Sequence, residues 1–397
     1  MVIYNVEISY FISQGTSIRN ILVVAGYMEG GSAMNTLGFT IVGFGNIAKT
    51  HMIALRTMPI IKQLPVTPVL NTLVTRRPEQ TLDQARQIGF VHVTSSLEEA
   101  LQYDGAEAIS ICTPNALHAE QVRMAVQYNQ AIYCEKPVTE SAASTAQLLK
   151  DVPSTLTQQL AFVYRYHPAV MRIKAWLEEG IIGDVLQCRL AYLRSGYLSD
   201  ARPYSWRVDN SLSGGGAITD IGVHALDLLR HWFGEMKSVD GNTETFIKSR
   251  RAGNGTDERL AVHVDDWALM NYVTEQGIQG IVEVSRIALG EDAFRVHIVG
   301  TKGSITCDLE TDKKPQLHLV SGRHGATPEP ESLALLPDEK ATMGIFQDSH
   351  FAALHHFILR HCGDERWDNL APTLEDGLVV ERLVDQVIHA SQARKQR

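Results

Sequence analysis

The sequence predicts an α/β fold in two parts: a parallel sheet covered by helices on both faces, then an antiparallel sheet with helices of its own. Two observations carry the prediction. Up to about residue 155, short apolar runs alternate with helical stretches across short links, the pattern of parallel strands with crossover helices. Beyond about residue 160, apolar runs follow one another with no helix between them, as antiparallel strands do. Residues 34–155 and 156–397 are the two domains this implies, preceded by a segment 1–33.

In order, 37–43 reads as a short strand ending in glycine, and a helix begins near Asn46. A strand over 69–75 precedes a helix over Pro78–Ile88, which a proline opens. The strand over 108–112 is closed by Thr113-Pro114-Asn115, and a helix over 116–128 leads to a strand over Ala131–Cys134. In the second part, strands are expected over 185–192, 266–274, 277–287, 294–299 and 304–309, broken at Glu275-Gln276-Gly277 and at Lys302-Gly303. Residues 248–262 and 311–342 read as surface loops, and 346–396 as mostly helical with breaks at Gly363 and Pro372.

Composition excludes several function classes. The chain of 397 residues is 44% apolar and 20% charged, with a net charge of −9 that argues against a nucleic-acid partner. No apolar run approaches the ~20 residues that span a bilayer, so no membrane partner is expected. The run at 21–26 is short, and its upstream flank carries Glu7 and only Arg19, a poor n-region for export. Residues 1–33 therefore read as a leader or extension without a catalytic part, a weak export signal being the alternative. Five dispersed cysteines without CxxC spacing suit reduced thiols in the cytoplasm. Fifteen histidines show no ligand spacing that would argue for a metal, and none is expected.

The segment Gly43-Phe44-Gly45-Asn46-Ile47-Ala48 fits the G-x-G-x-x-G/A pattern and lies between a predicted strand and a predicted helix. In that context the first glycine permits the tight turn and the second admits a pyrophosphate, which the helix N-terminus then binds. A dinucleotide cofactor follows. Where such sheets often place an acid after the second strand to hold a ribose, this chain has Thr75, Arg76 and Arg77. Two guanidinium groups favour the 2′-phosphate of NADP over NAD; arginines merely solvated at a strand end are the alternative.

Glu135-Lys136-Pro137 follows the strand Ala131–Cys134, at the end of a parallel sheet that faces ligands, although a charged pair there also suits a surface turn. Asp220 and His224 are four apart and share one face if helical, so the carboxylate could orient the imidazole. A buried structural pair is the competing reading. Gly214, Gly215 and Gly216 just upstream would let a substrate or cofactor approach the backbone.

Taken together, GFGNIAKTH, CTPNALHAE, EKPV, FVYRYHP and WRVDNSLSGGGAITDIGVHALDLL, in this order, resemble the glucose–fructose oxidoreductase, inositol dehydrogenase and rhizopine catabolism family. The resemblance runs from Met34 to the C-terminus. It implies a Rossmann domain followed by an α/β domain whose large open antiparallel sheet often forms a homodimer or homotetramer interface. It also implies that Lys136, Asp220 and His224 are catalytic and that the Lys136–Pro137 bond is cis. Thr113, Pro114, Asn115 and His118 would lie along the nicotinamide half of the cofactor, with Glu135, Trp206 and Arg207 close by. Arg165, Tyr166, His167, Tyr197, Arg202, Tyr204 and Arg207 form a polar, aromatic set suited to a sugar, a structural role being the competing reading for each; Arg165, Tyr166 and Arg207 are the substrate candidates. The implied activity is NAD(P)-dependent hydride transfer to or from a secondary hydroxyl of a sugar, inositol or related polyol. A redox-neutral NAD-dependent glycosidase and a non-catalytic NAD(P)-sensing protein are the alternatives.

Overall fold

A computed structural model describes residues 35–320 and 343–397. The leader expected over 1–33 lies outside them, as does most of the loop expected over 311–342. Among the described residues no helix is long and apolar enough to cross a membrane. All five cysteines are free.

The first sheet is built from β1 (Thr36–Val42), α1 (Asn46–Ile61), β2 (Thr67–Val74), α2 (Pro78–Ile88), β3 (His92–Thr94), α3 (Leu97–Ala100), β4 (Ala108–Ile111), α4 (His118–Gln127), β5 (Ala131–Cys134), α5 (Ala142–Leu148) and β6 (Gln158–Leu160). Its six strands lie in the order β3-β2-β1-β4-β5-β6, every pair parallel. Phe39, Ile41, Ile109, Ile111, Ile132 and Cys134 are fully buried, as expected of strands covered on both faces. The order reverses between β1 and β4, which opens a crevice at their C-terminal ends.

The remainder comprises α6 (Pro168–Glu178), β7 (Val185–Leu193), α7 (Asn210–Ser213), α8 (Val223–Phe233), β8 (Met236–Glu244), β9 (Ser249–Arg251), β10 (Arg259–Ala261), β11 (Trp267–Thr274), β12 (Gln279–Ser285), β13 (Ala293–Gly300), β14 (Gly303–Asp308), β15 (Gln316–Leu319), α9 (Ile345–His361) and α10 (Leu374–Lys395). Seven strands form one sheet in the order β15-β14-β13-β7-β12-β11-β8.

This sheet is mixed, since β12 runs parallel to β7 while the other pairs are antiparallel. The chain leaves β7, forms the loops and helices after it, and returns to both sides of that strand. Sequence reading misses β8 because its apolar signal is thin: only Val239, Gly241 and Thr243 are buried along it. A Cβ at Gly241 would come within 2.3 Å of the Leu269 carbonyl oxygen, so this position in the pairing requires glycine. The loop expected over 248–262 instead contains the β9–β10 hairpin, and β15 lies in the first part of the loop expected over 311–342. β9 and β10 are three residues each, β10 exposed throughout, and β15 is only four residues long, so none gives a run long enough to announce a strand.

Two helices lock the C-terminal segment back onto the first sheet. α9 packs against α1 and places Phe357 against Phe39 and Tyr133, at centroid separations of 6.1 and 5.6 Å. α10 starts at a capping box formed by Thr373 and Asp376. It carries Glu381 beneath the segment after β5, where Oε1 accepts from the Thr139 N–H at 3.2 Å. Burial pushes the Glu381 carboxyl from 4.5 up to about 8. The fold thus binds a proton that the unfolded chain releases, so this group's contribution to stability falls as pH rises from about 4.5 to about 8. Glu381→Gln should remove that slope: relative to wild type it should gain roughly 4 kcal/mol between about pH 5 and about pH 9, read by denaturant melts.

Candidate active site

The dinucleotide turn has the geometry its glycines suggest. Gly43 sits at φ 104°, and a Cβ there would come within 2.8 Å of the Cys112 carbonyl oxygen. Gly45 precedes α1 with no side-chain cap, no acid follows in the first turn, and a Cβ on Gly45 would meet nothing within 4 Å. Free N–H groups at Asn46 and Ile47, the positive end of α1 and open space above Gly45 together fit a pyrophosphate. On one side a pocket runs past Gly43, Phe44, Thr75, Arg76, Ser95 and Ser96. On the other, a cleft of about 610 Å³ runs from Gly45, Asn46 and Ile47 to Lys136, Asp220 and His224. Thr113, Pro114 and Trp206 border both spaces, while Asn115, Glu135 and Arg207 border the cleft.

Lys136 leaves the end of β5 through a cis peptide bond to Pro137. Its Nζ donates to the Asp220 carbonyl oxygen at 2.6 Å and to Asp220 Oδ1 at 3.2 Å. Asp220 lies in a π-helical turn, Ile218–Gly222, that runs directly into α8 and His224. Its second oxygen, Oδ2, lies 3.5 Å from Arg286 Nη1. Burial alone would raise the Asp220 carboxyl, but Lys136, then Arg286 and Arg207, hold it well below the usual carboxylate range.

The structure departs here from the expectation that Asp220 orients His224. Both carboxylate oxygens face cations, and His224 Nδ1 is buried without a hydrogen-bond partner. The imidazole is instead wedged edge-on between aromatic rings, 5.1 Å from Tyr164 and 6.1 Å from Phe162. Burial, and then the charge of Lys136, keep it well below its ordinary pKa, so it is a neutral imidazole at neutral pH.

Beneath Lys136, Glu135 Oε1 faces His51 Nε2 at 3.2 Å, and His350 completes a buried group whose ligand atoms lie within 4.8 Å of one another. That is the spacing of a possible metal site, which sequence spacing did not suggest because the three residues come from α1, the end of β5 and α9. Burial opposes protonation of His51, but Cys112 and Glu135 raise it to about 10, and against burial His51 draws Glu135 down to about 2. An imidazolium therefore faces a carboxylate.

The walls of the cleft contain residues that sequence reading missed. Tyr164 Oη lies 2.8 Å from Tyr192 Oη and donates to Glu310 Oε1 at 2.7 Å, while Glu310 Oε2 pairs with Arg194 at 2.6 Å. Arg286 follows the end of β12 as Arg194 follows the end of β7, and that position at strand ends is the signal that could have singled them out. His350 and Phe346 reach the cleft from α9. The three glycines upstream of Asp220 serve mainly the protein's own packing. A Cβ on Gly214 or Gly216 would come within 1.8 Å of the carbonyl oxygen of Glu140 or Asp265. Gly216 N–H and Ile218 N–H both donate to the Asp265 carboxylate at 2.8 Å, which fixes the turn that presents Asp220.

Comparisons with known proteins agree with this geometry. Residues 37–158 match the model of an oxidoreductase family with an NAD-binding Rossmann fold, and residues 170–306 match the GFO/IDH/MocA C-terminal domain. Levoglucosan dehydrogenase of Pseudarthrobacter phenanthrenivorans is 31% identical over 304 residues, 72% of this chain and 77% of that protein. The chain belongs to the GFO/IDH/MocA family. D-xylose 1-dehydrogenase [NADP(+)] of Haloarcula marismortui is 35% identical over 165 residues, 40% of this chain and 45% of that one. The solved structure of levoglucosan dehydrogenase in complex with NADH and levoglucosan aligns with a TM-score of 0.81 at 28% identity, over 90% of this chain and 98% of that one. This GFO/IDH/MocA chain is accordingly an NAD(P)-dependent oxidoreductase with an NAD-binding Rossmann domain.

In this GFO/IDH/MocA member Arg165, Tyr166, His167, Tyr204, His118 and Arg77, all singled out by sequence, lie away from both spaces. Arg165 is buried and paired with Asp227, Nη2 to Oδ1 at 2.6 Å and Nε to Oδ2 at 3.0 Å. Tyr166 is fully buried, with Oη 2.9 Å from His356 Nδ1. The short 3₁₀ turn Val163–Tyr166 presents Tyr164 to the cleft in their place. His118 is buried, its ring nitrogens 3.0 Å from the carbonyl oxygens of Pro137 and Thr113, so it joins the two ligand-facing turns from behind. Arg77 is exposed at the start of α2, and only Arg76 borders the pocket.

Proposed function

We propose that this chain transfers a hydride between the nicotinamide of NAD(P) and a secondary hydroxyl or ketone of a sugar, inositol or related polyol. The observation that carries this reading is the convergence of Lys136, Asp220 and His224 in a cleft continuous with the Gly43–Gly45 turn. The names of the relatives, levoglucosan dehydrogenase and D-xylose 1-dehydrogenase, support the same class of substrate.

When bound, the cofactor supplies a hydride acceptor at C4 of its nicotinamide ring. Lys136, held by Asp220, donates a hydrogen bond to the reacting oxygen and stabilises alkoxide character there. His224 accepts the hydroxyl proton as a neutral base. Because burial and Lys136 disfavour the imidazolium, His224 holds that proton weakly and returns it readily in the reductive direction. Tyr164 and Tyr192 offer ring surface and hydroxyls on the cleft wall for a sugar.

For the cofactor we favour NADP, because Thr75 and Arg76 border the pocket where a ribose 2′-phosphate would lie and no acid follows β2. Arg76→Ala should raise KM for NADP about tenfold and leave KM for NAD nearly unchanged. Equal effects on both would remove the preference. A second copy of the chain is the proposed partner of the seven-stranded sheet's free face, where Leu186 and Ile281 are exposed. Screening sugars, inositols and their derivatives with both cofactors, read at the absorbance of the reduced nicotinamide, tests the activity. Cofactor reduction with at least one of them is expected, and none with any would reject it.

A further inference from the structure

We propose that the sugar taken by this site carries a negative group, a carboxylate or a phosphate, and that Arg202 and Arg207 receive it. The proposal rests on the hydride-transfer reading for the reaction and on the charge of the cleft for the substrate.

The charges in the cleft do not cancel. Its walls set Lys136, Arg194, Arg202, Arg207 and Arg286 against only two carboxylates, Glu135 and Asp220, in a chain whose net charge is −9. Glu135 is engaged by His51 at 3.2 Å. Asp220 is shared by Lys136 and Arg286, and Arg194 is answered from outside the cleft by Glu310. Among the described residues, no carboxylate lies within ion-pair distance of Arg202 or Arg207. Both are placed by aromatic rings instead, Arg202 at 3.8 Å over Tyr197 and Arg207 at 4.4 Å over Trp206. A guanidinium has five N–H donors, and Arg202 uses Nη1 on the Gly196 carbonyl oxygen at 3.1 Å, so most remain for a ligand.

These arginines sit on a built platform. Buried Arg250 donates to the carbonyl oxygens of Tyr197, Ser199 and Arg202 and so fixes the loop from below. Arg286 also packs on the Tyr197 ring, at 4.2 Å. It is 1% exposed; its Nη1 faces Asp220 Oδ2 at 3.5 Å, and its Nε has no hydrogen-bond partner. The cofactor's phosphates do not account for this surplus. The pyrophosphate has its own donors at Asn46 and Ile47, and a 2′-phosphate would lie beside Arg76. Trp206 borders the cofactor pocket as well, so Arg202, which does not, is the more selective probe.

Calorimetric titration of the NADPH-loaded protein with D-glucuronate, D-glucose 6-phosphate and D-glucose tests the proposal. At least one anion should bind about 10- to 100-fold more tightly than glucose, and the preferred one assigns carboxylate or phosphate. Arg202→Gln, at an exposed position where folding is not at stake, should cut that preference about tenfold, and Arg202→Gln with Arg207→Gln should abolish it. Glucose binding as tightly as both anions, or a preference that survives the double substitution, would overturn it. Turnover of the same sugars with oxidised NAD and NADP, in separate samples, distinguishes the two readings. Equal kcat/KM for neutral and anionic sugars rejects the charge proposal and leaves hydride transfer standing. An anion preference in binding without cofactor reduction by any sugar supports the charge proposal and rejects hydride transfer.

Discussion

Lys136→Ala should lower kcat by about 10²–10⁴-fold while the dissociation constant of the reduced cofactor changes little. Lys136 reaches the cleft from the end of β5, and its ammonium is the donor held by both the carbonyl and the carboxylate of Asp220. Its contribution grows as negative charge develops on the reacting oxygen, so its loss falls on the transition state more than on binding. His224→Ala should lose rate to a similar degree for a different reason, since it removes the proton acceptor and leaves the Lys136–Asp220 pair in place. The two losses should not multiply in the double variant if the residues act as a unit. Retained turnover in both single variants would remove this centre from the chemistry.

Asp227→Ala should cost about 3–5 kcal/mol of stability, because it strands a buried guanidinium. Arg165 meets Asp227 through Nε and Nη2, and both residues are almost wholly shielded from water. Asp376 is the nearest replacement, at 3.5 Å from Arg165, but it is already engaged with Arg230 at 3.2 Å. Neither Arg165 nor Asp227 borders the cleft. The loss should therefore appear in the denaturation midpoint, with kcat and KM of the folded fraction unchanged. An intact midpoint with a raised KM for the sugar would restore Arg165 as a substrate ligand, the role its place in FVYRYHP suggests.

The contrast between Arg165 and Tyr164 shows what sequence can and cannot resolve here. Alternation of strand and helix was legible, because crossover helices and buried parallel strands leave long apolar signals; α2 and β5 have the predicted bounds. The glycine turn was legible because Gly43 answers a positive φ and a close approach of Cys112. Which side of a four-residue 3₁₀ turn faces a cleft leaves no periodic trace, so Arg165 and Tyr166 drew attention that belonged to Tyr164. The partner of Asp220 was also hidden, since Lys136 and Arg286 come from distant strand ends and together take both carboxylate oxygens. The cluster of His51, Glu135 and His350 is likewise a product of tertiary packing. The parallel pairing of β12 with β7 could not be read from consecutive strands, because strand order depends on where the chain returns.

The central claim, hydride transfer at this cleft, is tested most directly by following the hydrogen itself. The wild-type protein would be incubated with oxidised cofactor and a sugar deuterated at its carbon-bound positions, and the reduced nicotinamide examined by mass spectrometry. The account predicts deuterium on the reduced nicotinamide with wild type and little with Lys136→Ala or His224→Ala. Reduced nicotinamide without deuterium, or equal labelling with the variants, would contradict it.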